Sequence, residues 1–159
     1  MVATLLIKLC KHRADKFTLQ IRDNRNGKIK SVAPQWDRSV SSISFSQDNK
    51  TLFVTAQDVG QKSIFAISTE FNEVRKVYDV GSNADVASFG DNIIFTRHTL
   101  ATPKNIFTIN ADGYELKQLT HINKDKLANI DFAEYKQFNF KGWNDEKVHG
   151  YWLKPANYQ

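Results

Sequence analysis

Cysteine is almost missing. Cys10 is the single one in 159 residues, so no disulfide can close within the chain. A lone thiol leaves the redox compartment open, and Cys10 reads as a passive side chain rather than a nucleophile. Long apolar runs are missing as well. The most apolar stretch, Thr4-Leu5-Leu6-Ile7-Lys8-Leu9, is too short to span a bilayer, and a lysine interrupts it. No small-residue cleavage site follows Cys10, so a signal peptide is not expected. Residues 1–12 read either as a buried strand entering the first repeat or as residues foreign to the fold. Localisation therefore stays open.

Other absences remove whole chemistries. There is no phosphate loop and no G-x-G-x-x-G, so no nucleotide cofactor is expected. His12, His98, His121 and His149 have no second His and no Cys at ligand spacing, which argues against a metal site. The acidic pair Asp145-Glu146 lies in a turn, where carboxylates serve solubility and turn geometry. No segment sustains a helical period, and only Asp125–Phe132 is expected to form about two turns. The formal net charge is +5. Lys and Arg are interleaved with Asp and Glu, and the densest basic cluster, His12 to Lys30, falls on an expected strand pair and its turn. That is a solvated face, so neither nucleic acid nor membrane is an expected partner.

What is present is β-structure. Phe17–Arg22 and Lys28–Val32 read as strands around a turn at Asp23–Lys28, where Asn26-Gly27 is the strongest two-residue turn signal. Pro34 ends that pair, and Gln35-Trp36-Asp37-Arg38 crosses to the next unit. Trp36 reads as an aromatic packed between units, with a ligand platform as the alternative. From Ser39 to Val80 four strands follow: Ser42–Ser46, Thr51–Ala56, Ser63–Ser68 and Arg75–Val80. Asp48-Asn49-Lys50, Asp58-Val59-Gly60 and Glu70–Glu73 separate them, with Asn49 suited to a positive φ. A shorter copy runs Val86–Phe89, Ile93–Arg97, Asn105–Ile109 and Leu116–Thr120, with turns at Gly90-Asp91-Asn92 and Asp112-Gly113 and a loop bearing Pro103.

The copies keep a period. Ile21, Ile67 and Ile109 are spaced by about 46 and 42 residues, and Val32, Val77 and Leu119 by about 45 and 42. Four antiparallel strands in about 42 residues is the size of one β-propeller blade. The expected fold is thus all-β: a partial propeller of about three four-stranded blades over residues 1–134, with a β-sandwich as the alternative. Residues 135–159 break the period. Tyr135–Lys141 and Val148–Pro155 form a hairpin around Gly142–Lys147.

The stretch FNFKGWNDEKVHGYWLKPANY, Phe138 to Tyr158, resembles the start of the catalytic domain in the prolyl oligopeptidase family. It is most similar to the acylaminoacyl-peptidase and dipeptidyl-peptidase V branch. Trp36–Val40, the segment Ser46–Asp58 and Leu119–Asn123 resemble late propeller blades of that branch. The family's Ser-Pro-Asp-Gly-Lys turn stands here as Ser46-Gln47-Asp48-Asn49-Lys50, with Asn still able to take a left-handed conformation.

The resemblance implies a two-domain serine exopeptidase, in which a propeller caps an α/β-hydrolase domain carrying a Ser, Asp, His triad. Its nucleophile would sit in a G-x-S-x-G turn, which exposes the hydroxyl beside the oxyanion donors. No serine here has that context; Ser63, Ser82 and Ser88 all fail it. The expected site list is therefore empty: no catalytic, cofactor or metal residue. The expected function is that of a catalytically silent piece of a peptidase, whose propeller admits short peptides to a catalytic domain not found in this chain. The alternative is a binding module that pairs with another chain through open blade edges. About three blades cannot close a ring, so exposed edges and association are expected. Asn49-Lys50-Thr51 is a glycosylation sequon, relevant only to a secreted protein.

Overall fold

The structure is a computed structural model that describes residues 3–8, as a strand, and residues 16–155. Cys10, His12 and the end of the tail at residues 156–159 lie outside the described residues.

Of the thirteen strands among the described residues, eleven form three blades and the last two a separate hairpin. The first blade holds β1 (Ala3–Lys8), β2 (Thr18–Asp23) and β3 (Ile29–Ser31), paired in that order and antiparallel. The second holds β4 (Val40–Phe45), β5 (Thr51–Asp58), β6 (Gln61–Ser68) and β7 (Val74–Tyr78). The third holds β8 (Ser82–Phe89), β9 (Asn92–His98), β10 (Asn105–Asn110) and the two-residue β11 (Lys117–Gln118). Between the second and third blades, Lys62 on β6 meets Ser82 on β8 in a single parallel bridge. A one-turn helix, α1 (Lys124–Leu127), replaces the two turns expected over 125–132. It has no side-chain cap and buries no residue, so nothing extends it past one turn. The hairpin of β12 (Tyr135–Lys141) and β13 (Lys147–Leu153) forms its own sheet.

Burial follows from the stacking of blades. In β5 the run Leu52 to Ala56 is buried without interruption, because both faces of the middle blade are covered. Leu52, Val54, Ala56, Phe65 and Ile67 meet Leu19, Val32 and Ala33 of the first blade. Phe53, Ile64, Ala66 and Val77 turn the other way, onto Val86, Ile93, Phe95, Phe107 and Ile109 of the third. Trp36 lies edge-on to Phe65 with ring centroids 4.9 Å apart. It is a packing aromatic at the first junction.

The third blade is covered on one side only. β9 alternates, with Ile93 and Phe95 buried, and β10 buries Phe107 and Ile109 while Ile106 is exposed. Leu119, in the place that Val32 and Val77 fill in their blades, is half exposed.

One correction concerns register. The anchor Ile21 is one residue out of frame. Leu19 accepts the N–H of Val32 as Ile106 accepts that of Leu119, so Leu19 aligns with Ile106. Arg22 then takes the place of Ile67 and Ile109. One residue of slip changes the face, and Ile21 indeed packs on the same junction as Leu19. The hairpin turn falls at Asp23–Lys28, as expected. Residues 24–27 form a four-residue loop closed by Asp23 N–H to Lys28 O at 2.9 Å, with only Gly27 at positive φ. Side chains of Asp23 and Asn26 bond the N–H groups of Arg25 and Lys28, which favours this turn.

The innermost strands share an irregularity. β4 bulges between Val40 and Ile43, and the freed N–H of Ser42 donates to Thr55 Oγ1 at 3.1 Å. β8 bulges between Ala84 and Ala87, with Asp85 at φ 54°, and Thr96 Oγ1 donates to Asp85 Oδ2 at 2.7 Å. Thr55 on β5 and Thr96 on β9 hold equivalent places.

Candidate functional site

The end of the blades beside the hairpin concentrates the polar geometry. Its centre is the β5–β6 turn, where Val59 and Gly60 both have positive φ, 50° and 78°. That is the primed geometry that joins twisted strands through two residues. A Cβ on Gly60 would lie 2.9 Å from the Tyr151 ring. Glycine is thus required there both for backbone angle and for space.

The turn carries the hairpin. Gln137 Nε2 donates to Val59 O at 2.7 Å. Gln61 Nε2 donates to the Tyr151 hydroxyl, while Gln61 Oε1 accepts the N–H of Gly81 at 2.8 Å. One side chain therefore links the hairpin to the crossing between the second and third blades. Tyr135 and Tyr151 stand with ring centroids 6.3 Å apart. Burial pushes the Tyr151 hydroxyl above its ordinary pKa, and nearby Tyr135 adds to this.

Two clefts flank this junction. One, of about 240 Å³, is bounded by Gly60, Gln61, Ser82, His98, Leu100 and Tyr151. The other, of about 440 Å³, is bounded by Asp58, Gln61, Ser63, Lys76, Gln137 and Tyr151. In the second, the Asp58 carboxylate takes Lys76 Nζ at 2.6 Å and Arg38 Nη2 at 3.2 Å. Ser63 Oγ is buried and makes no hydrogen bond.

The first cleft holds a hydroxyl and an imidazole, so nucleophilic chemistry can be weighed there. Ser82 and His98 are cross-strand partners in the β8–β9 pair. No hydrogen bond joins them, and no carboxylate orients the His98 ring among the described residues. A nucleophile needs both a base in reach and a group that holds that base. His121 lies beyond β11, and His149 lies on the exposed hairpin opposite Asn139. Ser88 gives its N–H to Ser44 Oγ at 3.0 Å, a structural bond between inner strands. Among the described residues no three His, Cys, Asp or Glu converge on a metal position.

No protein-family model matches the chain. Dipeptidyl-peptidase 5 of Aspergillus fumigatus is 25% identical over 136 residues, covering 82% of this chain and 19% of the relative. A probable dipeptidyl-peptidase 5 of Aspergillus clavatus is 27% identical over 165 aligned residues, covering 99% of this chain and 22% of the relative. The chain thus spans about a fifth of the length of the curated relatives it matches. Among solved structures, an acylaminoacyl peptidase of Pyrococcus horikoshii superposes with a TM-score of 0.71 at 19% identity, over 92% of this chain and 22% of that one. The β-propeller domain of the trilobed protease of Pyrococcus furiosus superposes with a TM-score of 0.59 at 16% identity, over 80% and 37%. The shared fold is a β-propeller, of which this chain covers a part.

Proposed function

From its place among the prolyl oligopeptidase-family peptidases, of which it covers a part, we propose that this chain supplies late propeller blades and the first hairpin of an α/β-hydrolase domain. The domain division would fall between residues 134 and 135. The parent would be a serine exopeptidase of the dipeptidyl- or acylaminoacyl-peptidase type. Its propeller would admit short peptides and keep folded proteins from the catalytic centre. By this reading the chain itself carries no catalytic, cofactor or metal residue and is inactive alone.

One observation carries the reading. The similarity to dipeptidyl-peptidase 5 covers up to 99% of the chain, so it includes the hairpin as well as the blades. A propeller serving only as a protein-binding module has no need of that hairpin. The hairpin is also docked, through Gln61 and Gln137, at the end of the blades where a second domain would attach.

The test has two parts. Antibody against the hairpin should detect, in the source cells, a polypeptide far larger than 18.2 kDa that is labelled by a serine-directed fluorophosphonate. Purified alone, the 159-residue chain should hydrolyse neither dipeptidyl nor aminoacyl chromogenic substrates. Inhibitor-sensitive turnover by the chain alone would refute its silence. A native product of this size, unlabelled and bound to another chain, would favour the binding-module reading.

A further inference from the structure

Arg97 is held in an unusual way. Its guanidinium carbon lies 4.2 Å from the Phe107 ring centroid and 5.7 Å from that of Tyr78. Nη1 donates to the Tyr78 hydroxyl. Nε is buried with no partner, and Nη2 makes no hydrogen bond either. Stacking on Phe107 fixes the plane, and Tyr78 occupies one corner. Nη2 is left over. Nε is sealed from solvent, so Nη2 is the N–H group of this guanidinium left open to an acceptor such as a carboxylate.

A cleft of about 170 Å³ lies against this arginine. His121, Asn123 and Lys124 line it. Lys124 makes no ion pair among the described residues, and Asn123 makes no capping bond. The other polar lining groups are already used: Asn105 Nδ2 donates to Pro103 O and Gln118 Nε2 to Thr120 O. No carboxylate lines the cleft. An arginine, a lysine and an imidazole thus face one small space with no counter-charge. The volume suits a terminal group rather than a whole residue chain.

We propose that this cleft binds a peptide carboxylate, which accepts from Arg97 Nη2 and is steadied by Lys124. A C-terminal carboxylate and an acidic side chain share that chemistry. The site belongs to the outer part of the third blade and does not depend on the peptidase reading, because its test reads binding alone.

The test is titration of the chain, labelled with ¹⁵N at arginine, with four probes. They are an N-acetylated tripeptide with a free C-terminus, the same peptide as its amide, an amidated peptide carrying one internal Asp, and inorganic phosphate. Arg97→Lys identifies the Arg97 Nε–H signal. The free-acid peptide should shift that signal with saturation, and the amide should not. Binding by the Asp-bearing amide assigns the site to carboxylates in general; its failure assigns it to C-termini. Lys124→Ala, on the surface, should weaken binding by about threefold to tenfold, and Arg97→Lys by about tenfold or more. Should Arg97→Lys fail to fold, the signal shift and Lys124→Ala still decide. Equal binding of acid and amide, saturation by phosphate only, or no saturation by any probe would overturn the proposal.

Discussion

Asp58 is the side chain most tied to its surroundings at the hairpin end, with 11% of its side chain exposed. The Lys76 ammonium, then the Arg38 guanidinium, hold its carboxyl below the ordinary value of 3.8, against an opposing effect of burial. A carboxyl depressed on folding stabilises above its unfolded pKa, and that contribution fades as pH falls through the folded value. Asp58→Asn should cost about 1–3 kcal/mol at neutral pH, because two charged donors lose their acceptor. Urea unfolding measured from pH 7 down to below 3.8 should show the gap between variant and wild type closing. A gap that stays constant would remove the ion triad from the account. Gly60→Ala meets both a positive φ and the Tyr151 ring. It should lose about 1–3 kcal/mol, read as a lower midpoint together with a change in Trp152 fluorescence on the loosened hairpin.

Turns and junctions are the units at the next scale. Val59 is β-branched at φ 50°, a conformation that favours Asn or Gly. The residue is 44% exposed, and its carbonyl serves the hairpin. Val59→Asn should therefore raise stability by about 1 kcal/mol, seen as a higher thermal midpoint. Phe95 is the converse case. It is buried between Tyr78 and Phe107, at 5.9 and 6.1 Å between ring centroids. Phe95→Ala should cost about 3–5 kcal/mol, detected as loss of cooperative unfolding.

The sequence made such elements legible to different degrees. Continuous apolar runs in β5 and β6 announced strands buried on both faces, and Asn49 announced its own positive φ of 61°. The frame of the first blade was not legible, because Leu19 and Ile21 offer equal apolar anchors one face apart from Arg22. Nor were the bulges of β4 and β8. Their signal, a threonine on the neighbouring strand at Thr55 and Thr96, looks like ordinary strand composition. The cleft at Arg97 left no motif, since Tyr78, Arg97, Phe107 and Lys124 come from four separate elements.

At the scale of the whole molecule, the unmatched surface decides behaviour. Ile106 and Leu119 on the third blade, with Ile122 beyond it, are 37%, 50% and 75% exposed. They stand where a further blade would cover them in a stacked array, which is why a few blades are poor at burying their own outer faces. The chain should associate with rising concentration, and sedimentation velocity over a hundredfold concentration range should show it. A single monomeric species throughout would contradict that expectation. The hairpin adds to the same surface. Phe138, Phe140 and Trp143 are 41%, 52% and 89% exposed, and the first two rings stack at 6.1 Å.

The attachment of that hairpin has a mechanical consequence. Its hydrogen bonds to the blades, among the described residues, reach only the turn at Val59 and the adjoining Gln61. Two anchors so close together resist being pulled apart but give little resistance to rotation about the line that joins them. The junction acts as a pivot. Any body built onto the hairpin would swing like a door on its hinge pin, with the β5–β6 turn as the fixed post.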